Sequence, residues 1–439
     1  MTARTRRLFR TAVWLAICAL GSGCGFLSLK KDIEAAKHEV EPAAVQGDVA
    51  IRGASSGPIV VVVYGVAAGR TTNVLVLPRP GPYFFALPAG TYRIAAYEDR
   101  NHDLAYQPGA EPAAVLGEPG ELVLRPGERR TNVDLTIDPG APARIPFAVA
   151  AVSAEQDENA FLPDLQLGTI VSIDDPRFSD ENGKLGLWQP LEFAAKIGAG
   201  VYFLEEYDPN KIPILFVHGA GGHPGNWKYL VSTLDRSRFQ PWLAYYPSAP
   251  HLDRVGRGLV RAIGALQLKY GFSRMIVVAH SMGGLVSRSA INYAVTGAET
   301  QRVVSLPAFV TISSPWNGHP GAATGVKHAP VVAPSWIDMA PDSAFLQHLP
   351  QTALPPECEY SLFFSYRSTG LSREANDGTV TVASELSLPI QLQAKRVIGF
   401  DESHTSILDS PEVAAQLNTI LLRAANAPRT VTAGRPPRT

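Results

Sequence analysis

The sequence predicts an α/β fold, a doubly wound and mostly parallel sheet, preceded by a small all-β sandwich. Three observations lead there. From residue 201 onward, apolar runs with no polar alternation take turns with amphipathic helical stretches, the pattern of strands covered on both faces by crossover helices. Between 46 and 140 the runs are shorter and β-branched, and Gly/Pro clusters separate them, as in a sandwich. At 277–286, "VVAHSMGGLV" sets a serine between the end of an apolar strand and two glycines that open a helix.

The chain of 439 residues is long enough for two or three domains. Its net charge of −1, with 18% charged residues, offers no basic field for nucleic acid. Of the three cysteines, Cys18 and Cys24 lie near the N-terminus and Cys358 stands alone in the body of the chain, so no disulfide framework is expected there. No cofactor is expected either, because no phosphate-binding loop or metal-ligand cluster competes with the serine.

Residues 1–24 read as an export signal. "MTARTRRLFR" is basic and "TAVWLAICAL" is a short apolar core, too short to span a hydrocarbon layer of about 30 Å. "LGSGC" then ends at Cys24. This resembles the lipobox of bacterial lipoproteins, although Gly21 stands in the usual leucine place; the resemblance implies lipidation of Cys24, a membrane anchor and a site in the outer membrane or periplasm. Ordinary signal-peptidase cleavage nearby is the alternative. "TRRLFR" also resembles a twin-arginine signal, with Arg10 where an apolar residue is usual.

Residues 25–45 read as a charged, alanine-rich spacer. In the β-rich segment, 46–140, "GPIVVVVYGV", "TTNVLVL", "YFFAL", "TYRIAAYED" and "TNVDLTI" are the expected strands. "LPAGTYRIAAYED" resembles the transthyretin-like type of immunoglobulin-like module. In "DRNHD", Asp99, Asn101 and Asp103 alternate as at the start of a calcium loop, but Leu104 and Ala110 stand where such a loop has glycine and glutamate. Solvated turn residues explain the spacing as well. Residues 141–200 read as a linker and an irregular segment packing on the domain C-terminal to it.

The parallel sheet is expected over 201–425. "KIPILFVHG", "FQPWLAYYP", "SRMIVVA", "PAFVTIS", "YSLFFSY" and "AKRVIGF" are its strands. "HLDRVGRGLVRAIGALQLKYG" puts Val255, Leu259, Ile263 and Leu266 on one helical stripe. The last helix opens at Pro411 after a capping Ser410, and a disordered tail is expected over 426–439. A cap-like insertion is expected at about 318–360, where Trp336, Met339, Phe345, Leu346 and Leu349 either roof a pocket or simply pack.

Ser281 thus sits at the carboxyl end of a strand, where open α/β sheets bind ligands. A sharp strand-to-helix turn leaves little room two residues to either side, and Ala279 and Gly283 fill those places. This is an Ala-x-Ser-x-Gly form of the nucleophile elbow. With "FVHGAGG" after the earlier strand, the chain resembles the α/β-hydrolase superfamily, specifically bacterial lipases and esterases. The resemblance implies oxyanion donors at the N–H groups of Ala220 and Met282, with His218 supporting the loop. It also implies a base after the last strand and an acid before it: His404 in "DESHTSIL", and Asp377 in "NDGTV", which resembles the acid loop of bacterial lipases. "NDG" is also an ordinary turn sequence. The function this resemblance implies is a serine ester hydrolase acting through Ser281, Asp377 and His404 on hydrophobic or lipid esters. An acyltransferase with the same three residues, or a non-catalytic envelope binding protein, are the alternatives.

Overall fold

A computed structural model describes residues 23–37, 43–77, 79–101, 103, 105–117, 120–149, 165–296, 304–367 and 375–426. Residues 1–22 of the expected export signal (1–24), and all of the expected tail but Asn426, lie outside the described residues. The chain forms two compact units: Met1–Ala36 with Gly168–Arg261 and Phe272–Thr439, and Lys37–Leu167 with Ala262–Gly271. No described helix is long and apolar enough to cross a membrane.

The expected spacer is partly helical. In α1 (Gly23–Lys37), Cys24 falls in the first turn. Leu29 is fully buried and clusters with Ala249 and Ala333. The Phe26 ring meets Trp188 edge-on at 5.1 Å, and Asp32 Oδ2 accepts the Leu191 N–H at 3.0 Å. Phe26, Leu29 and Ile33 follow helical spacing, but the surrounding lysines and glutamates mask so short a stripe.

The second unit holds two sheets. In the first, β1 (Ala43–Ile51) pairs antiparallel with β4 (Gly81–Leu87) and parallel with β8 (Arg129–Arg130) and β9 (Leu135–Ile137). In the second, β2 (Ile59–Gly65) lies between β3 (Arg70–Leu77) and β5 (Gly90–Glu98), and β5 also pairs with β6 (Ala113–Val115) and β7 (Leu122–Leu124). The five expected strands are present, and β1 reaches back across the boundary expected at 46. Val60, Val61, Val62 and Val63 are all fully buried, so β2 is covered on both faces. That is why "IVVVV" shows no alternation.

The first unit is built on one eight-stranded sheet, in the order β10-β11-β13-β12-β14-β15-β16-β17. These strands are β10 (Leu165–Ile170), β11 (Ala199–Phe203), β12 (Ile212–Val217), β13 (Phe239–Tyr245), β14 (Ile276–His280), β15 (Ala308–Ile312), β16 (Glu359–Tyr366) and β17 (Arg396–Asp401). β11 pairs antiparallel with β13. Every pairing from β13 to β17 is parallel. The doubly wound order and mostly parallel strands are those the apolar runs predict.

The sheet starts earlier than expected, since β10 and the first residues of β11 precede 201. Between them stand α2 (Asp180–Trp188) and α3 (Pro190–Lys196). The N-cap Ser179 side chain of α2 accepts the Asn182 N–H, and α3 opens on Pro190. Gly183 and Gly186 made this stretch read as loop. Gly183 answers to packing instead, because a Cβ there would come within 2.5 Å of the Gly221 carbonyl oxygen. Helix α2 therefore lies directly against the glycine loop that follows β12. On the other side of the chain's midpoint come α4 (Leu252–Tyr270), α5 (Met282–Val295) and, at the end, α9 (Pro411–Asn426), whose Val413, Leu417, Ile420 and Leu421 enter the main core with Phe216, Val278 and Val310. The helices α6 (Pro320–His328), α7 (Pro334–Met339) and α8 (Ala344–His348) occupy the expected cap-like insertion.

Candidate active site

Ser281 lies between β14 and α5 with φ 53° and ψ −129°. A non-glycine residue in that region costs about 1–3 kcal/mol and persists only where its surroundings impose it. Here the Ser281 N–H is tied to the Ile312 carbonyl oxygen at 2.8 Å. A Cβ at Gly283 would fall 2.3 Å from the Val217 carbonyl oxygen and 2.5 Å from that of His218, so only glycine lets α5 start this close to β12. Ala279 is still within β14, paired with Val217 and Thr311, and its methyl group is absorbed in the sheet.

Ser281, His404 and Asp377 come together. His404 Nε2 lies 2.9 Å from Ser281 Oγ, and His404 Nδ1 lies 2.6 Å from Asp377 Oδ2. With its proton on Nδ1 toward the carboxylate, the imidazole presents Nε2 as an acceptor for the serine hydroxyl. Asp377 is buried, and Gly378 turns the chain at φ 98° just after it. Asp377 Oδ1 accepts the N–H groups of Thr379 at 2.8 Å and Val380 at 2.7 Å. Its Oδ2 also accepts Ser365 Oγ–H at 2.7 Å. Burial opposes ionisation, but the bonds from His404, Val380 and Ser365 outweigh it and hold the carboxyl below its ordinary range. The His404 N–H donates to the Asp377 carbonyl at 3.1 Å, so the two loops are joined through backbone as well.

The other histidines near the serine have different partners. His280 is buried, and its Nε2 lies 2.8 Å from the His404 carbonyl oxygen. Burial and the neighbouring His404 push it down to about 3, so it stays neutral and donates to that carbonyl. Its ring lies 4.8 Å from that of His404, and its bond to the carbonyl fixes the backbone of the histidine that reaches Ser281. Burial likewise lowers His218 to about 4. The Tyr246 N–H donates to its Nε2 at 3.3 Å, which leaves its Nδ1–H for the Gly219 carbonyl at 2.8 Å. His218 supports the loop. A Cβ on Gly219 would stand 2.8 Å from that of Ser281, so the loop and the elbow touch. Among the described residues, the N–H groups of Ala220 and Met282 donate to no backbone carbonyl, and Met282 opens α5, where the helix dipole favours negative charge.

Ser365 and Glu385 also belong to this cluster, and no motif announces them. The polar signal that was available is the serine itself in the buried run "YSLFFSY". Since Ser365 Oγ gives its one hydrogen to Asp377, it accepts from Ser313 Oγ, 2.6 Å away. Two of the other downstream carboxylates have partners elsewhere. Asp338 Oδ2 accepts the Leu252 N–H at 2.7 Å and lies 3.1 Å from His251 Nδ1, and Glu402 Oε2 accepts Ser406 Oγ–H at 2.6 Å.

In the cap-like insertion, Met339, Leu346 and Leu349 are buried. A cavity of ≈ 460 Å³ lies between this insertion and residues 387–390, walled by Trp316, Leu346, Leu349 and Ile390 with Asn317 and Ser387. Neither Ser281 nor His404 is in its wall. In the other unit, the expected Asp99 and Asp103 gather with Glu111, their oxygens within 4.8 Å of one another. Backbone N–H groups already bind these carboxylates: Asp103 N–H to Asp99, and Arg100 and Gln107 N–H to Glu111. Asn101 bonds Asp103 and Gln107.

Comparison with curated proteins finds no match. Among solved structures, the chain is similar to the product of gene lin2722 of Listeria innocua, at 21% identity over 48% of this chain and 94% of that one, with a TM-score of 0.37. It is similar to the mature lipase BlEst2 of Bacillus licheniformis, at 19% identity over 50% and 94%, with a TM-score of 0.39. It is also similar to lipase B of Aspergillus fumigatus, at 16% identity over 52% and 56%, with a TM-score of 0.38. Residues 214–417 match the alpha/beta hydrolase family, and the parallel sheet with the Ser281 turn at its centre gives this part of the chain the alpha/beta hydrolase fold.

Proposed function

We propose that the protein is a serine ester hydrolase in which Ser281 is the nucleophile, His404 the general base and acid, and Asp377 the residue that orients and supports His404. The observation that carries this reading is the unbroken line Ser281 Oγ–His404 Nε2 at 2.9 Å and His404 Nδ1–Asp377 Oδ2 at 2.6 Å, with the serine on a strained elbow. Ser281 Oγ attacks the ester carbonyl carbon as its proton passes to His404 Nε2. The oxyanion is received by the N–H groups of Ala220 and Met282. Collapse of this intermediate breaks the bond to the leaving alkoxide, which takes the proton from His404, and an acyl-enzyme remains. Water then attacks with His404 as base, releasing the carboxylic acid and restoring the serine. The proposal of hydrophobic or lipid esters rests on the apolar residues of the insertion, Met339, Leu346 and Leu349; the pocket beside it also has Asn317, Asp342, Gln347 and Ser387 in its wall and does not include Ser281.

A fluorophosphonate probe tests the nucleophile without presuming a substrate: stoichiometric labelling of Ser281, located by peptide mass spectrometry, is the expected result. Absence of labelling in folded protein would remove the mechanism. Formation of ester rather than acid when an acceptor alcohol is supplied would shift the reading to acyl transfer.

The export signal and "LGSGC" support a second proposal, that the mature chain is lipid-anchored through Cys24. Mature protein is then expected to partition into detergent and to begin at an acylated Cys24. An unmodified N-terminus at another residue, found by intact-mass measurement, would rule the anchor out.

A further inference from the structure

Glu385 is fully buried beside the Asp377 carboxylate and plays no part in the mechanism above. It lies at the end of the helical turn Val382–Glu385, which follows the loop of Asp377. Its Oε2 accepts the Ser365 N–H at 3.0 Å, and Ser365 is the same residue whose hydroxyl binds Asp377. Its Oε1 is buried and meets no donor among the described residues.

Two carboxyls enclosed together do not both stay ionised, and the donors decide which one keeps the charge. Asp377 receives four: the Thr379 and Val380 N–H groups, Ser365 Oγ–H and His404 Nδ1–H. Each of these donors favours the ionised form of Asp377. Glu385 receives one, and has an oxygen left over that faces no hydrogen. A bare carboxylate oxygen in that position is unfavourable, whereas a hydroxyl there has an anion to bond.

We propose that Glu385 is a positioning residue that carries a proton in the resting protein, its Oε1–H turned toward Asp377, so that the site holds one negative charge and holds it behind His404. Burial first, and then the Asp377 charge, push Glu385 up to about 9 from its ordinary 4.5. The groups on its Asp377 side are His404 and, farther out, His319, whose Nε2 lies 2.9 Å from the Thr379 carbonyl oxygen. Loss of the Glu385 proton in alkali places a second anion beside Asp377. That loosens the pair and weakens the hold on His404.

The catalytic part of this inference rests on the hydrolase reading, but the proton does not, and the test separates them. A group raised in the folded state makes stability fall as pH climbs from the unfolded value of 4.5 through about 9, because the native protein binds the extra proton. Glu385→Gln keeps the shape and a permanent donor, and has no such slope. Its Tm is therefore expected to gain on the wild type progressively between pH 5 and pH 9. Its ester hydrolysis at pH 7 is expected to stay within about threefold of the wild type and to lose the decline of the wild type near pH 9. Wild-type protein with ¹³C-labelled glutamate supplies a reading that needs no variant: one carboxyl carbon titrating near 9. Parallel Tm curves for the two proteins, or glutamates that all titrate below 6, overturn the inference while leaving the hydrolase intact. A separated Tm and a high titration in a protein that hydrolyses nothing would uphold the proton and defeat the hydrolase reading.

Discussion

Ser281→Ala is expected to abolish ester hydrolysis, lowering kcat by at least about 10³-fold on short p-nitrophenyl esters while the protein folds normally. The hydroxyl makes no contact that the fold requires. The turn is held by the Ser281 N–H bond to Ile312 and by the closeness of Gly283 to the Val217 and His218 carbonyl oxygens. Alanine keeps the backbone and removes the atom that bonds His404 Nε2. Activity that survives in folded Ser281→Ala, measured with fluorophosphonate-treated wild type as the blank, would mean that another group does the chemistry.

The second large effect is expected at Asp377. Two backbone donors, Thr379 and Val380, fix which side of an asparagine amide would be oxygen, since both bond Oδ1. In Asp377→Asn the NH₂ then takes the Oδ2 position and points its hydrogens at His404 Nδ1. The imidazole answers by moving its proton to Nε2, where it can no longer accept from Ser281. We expect kcat to fall by at least about 10²-fold for this reason, with circular dichroism and Tm near the wild type. Asp338→Asn and Asp401→Asn are the controls, each expected to cost less than about tenfold in kcat. Asp338 binds the Leu252 N–H at the start of α4, a bond that the asparagine oxygen can still accept, so the Tm of that variant is expected to stay near the wild type. A crippled Asp338 or Asp401 variant beside an active Asp377→Asn would reassign the acid.

The parallel sheet was legible in the residues alone, because a strand covered on both faces must be apolar throughout, and "ILFV", "IVVA" and "AFVTI" are. So were the serine turn, where Gly283 has no room for a Cβ, and the turn after Asp377, where Gly378 has a positive φ. Neighbourhood along the chain sufficed for these features. The packed helices α1 and α2 were not legible: their stripes are short, and glycines such as Gly183 look like loop until the Gly221 carbonyl is seen against them. The closeness of Ser281, Asp377 and His404 arises only on folding, when the ends of β14, β16 and β17 come side by side through the parallel pairings of β14 to β17. The same holds for the groups that set the charge there. Ser365, His280 and Glu385 carry no motif, because what makes them matter is a hydrogen-bond partner many residues away and the exclusion of water around it. Sequence spacing specifies neither.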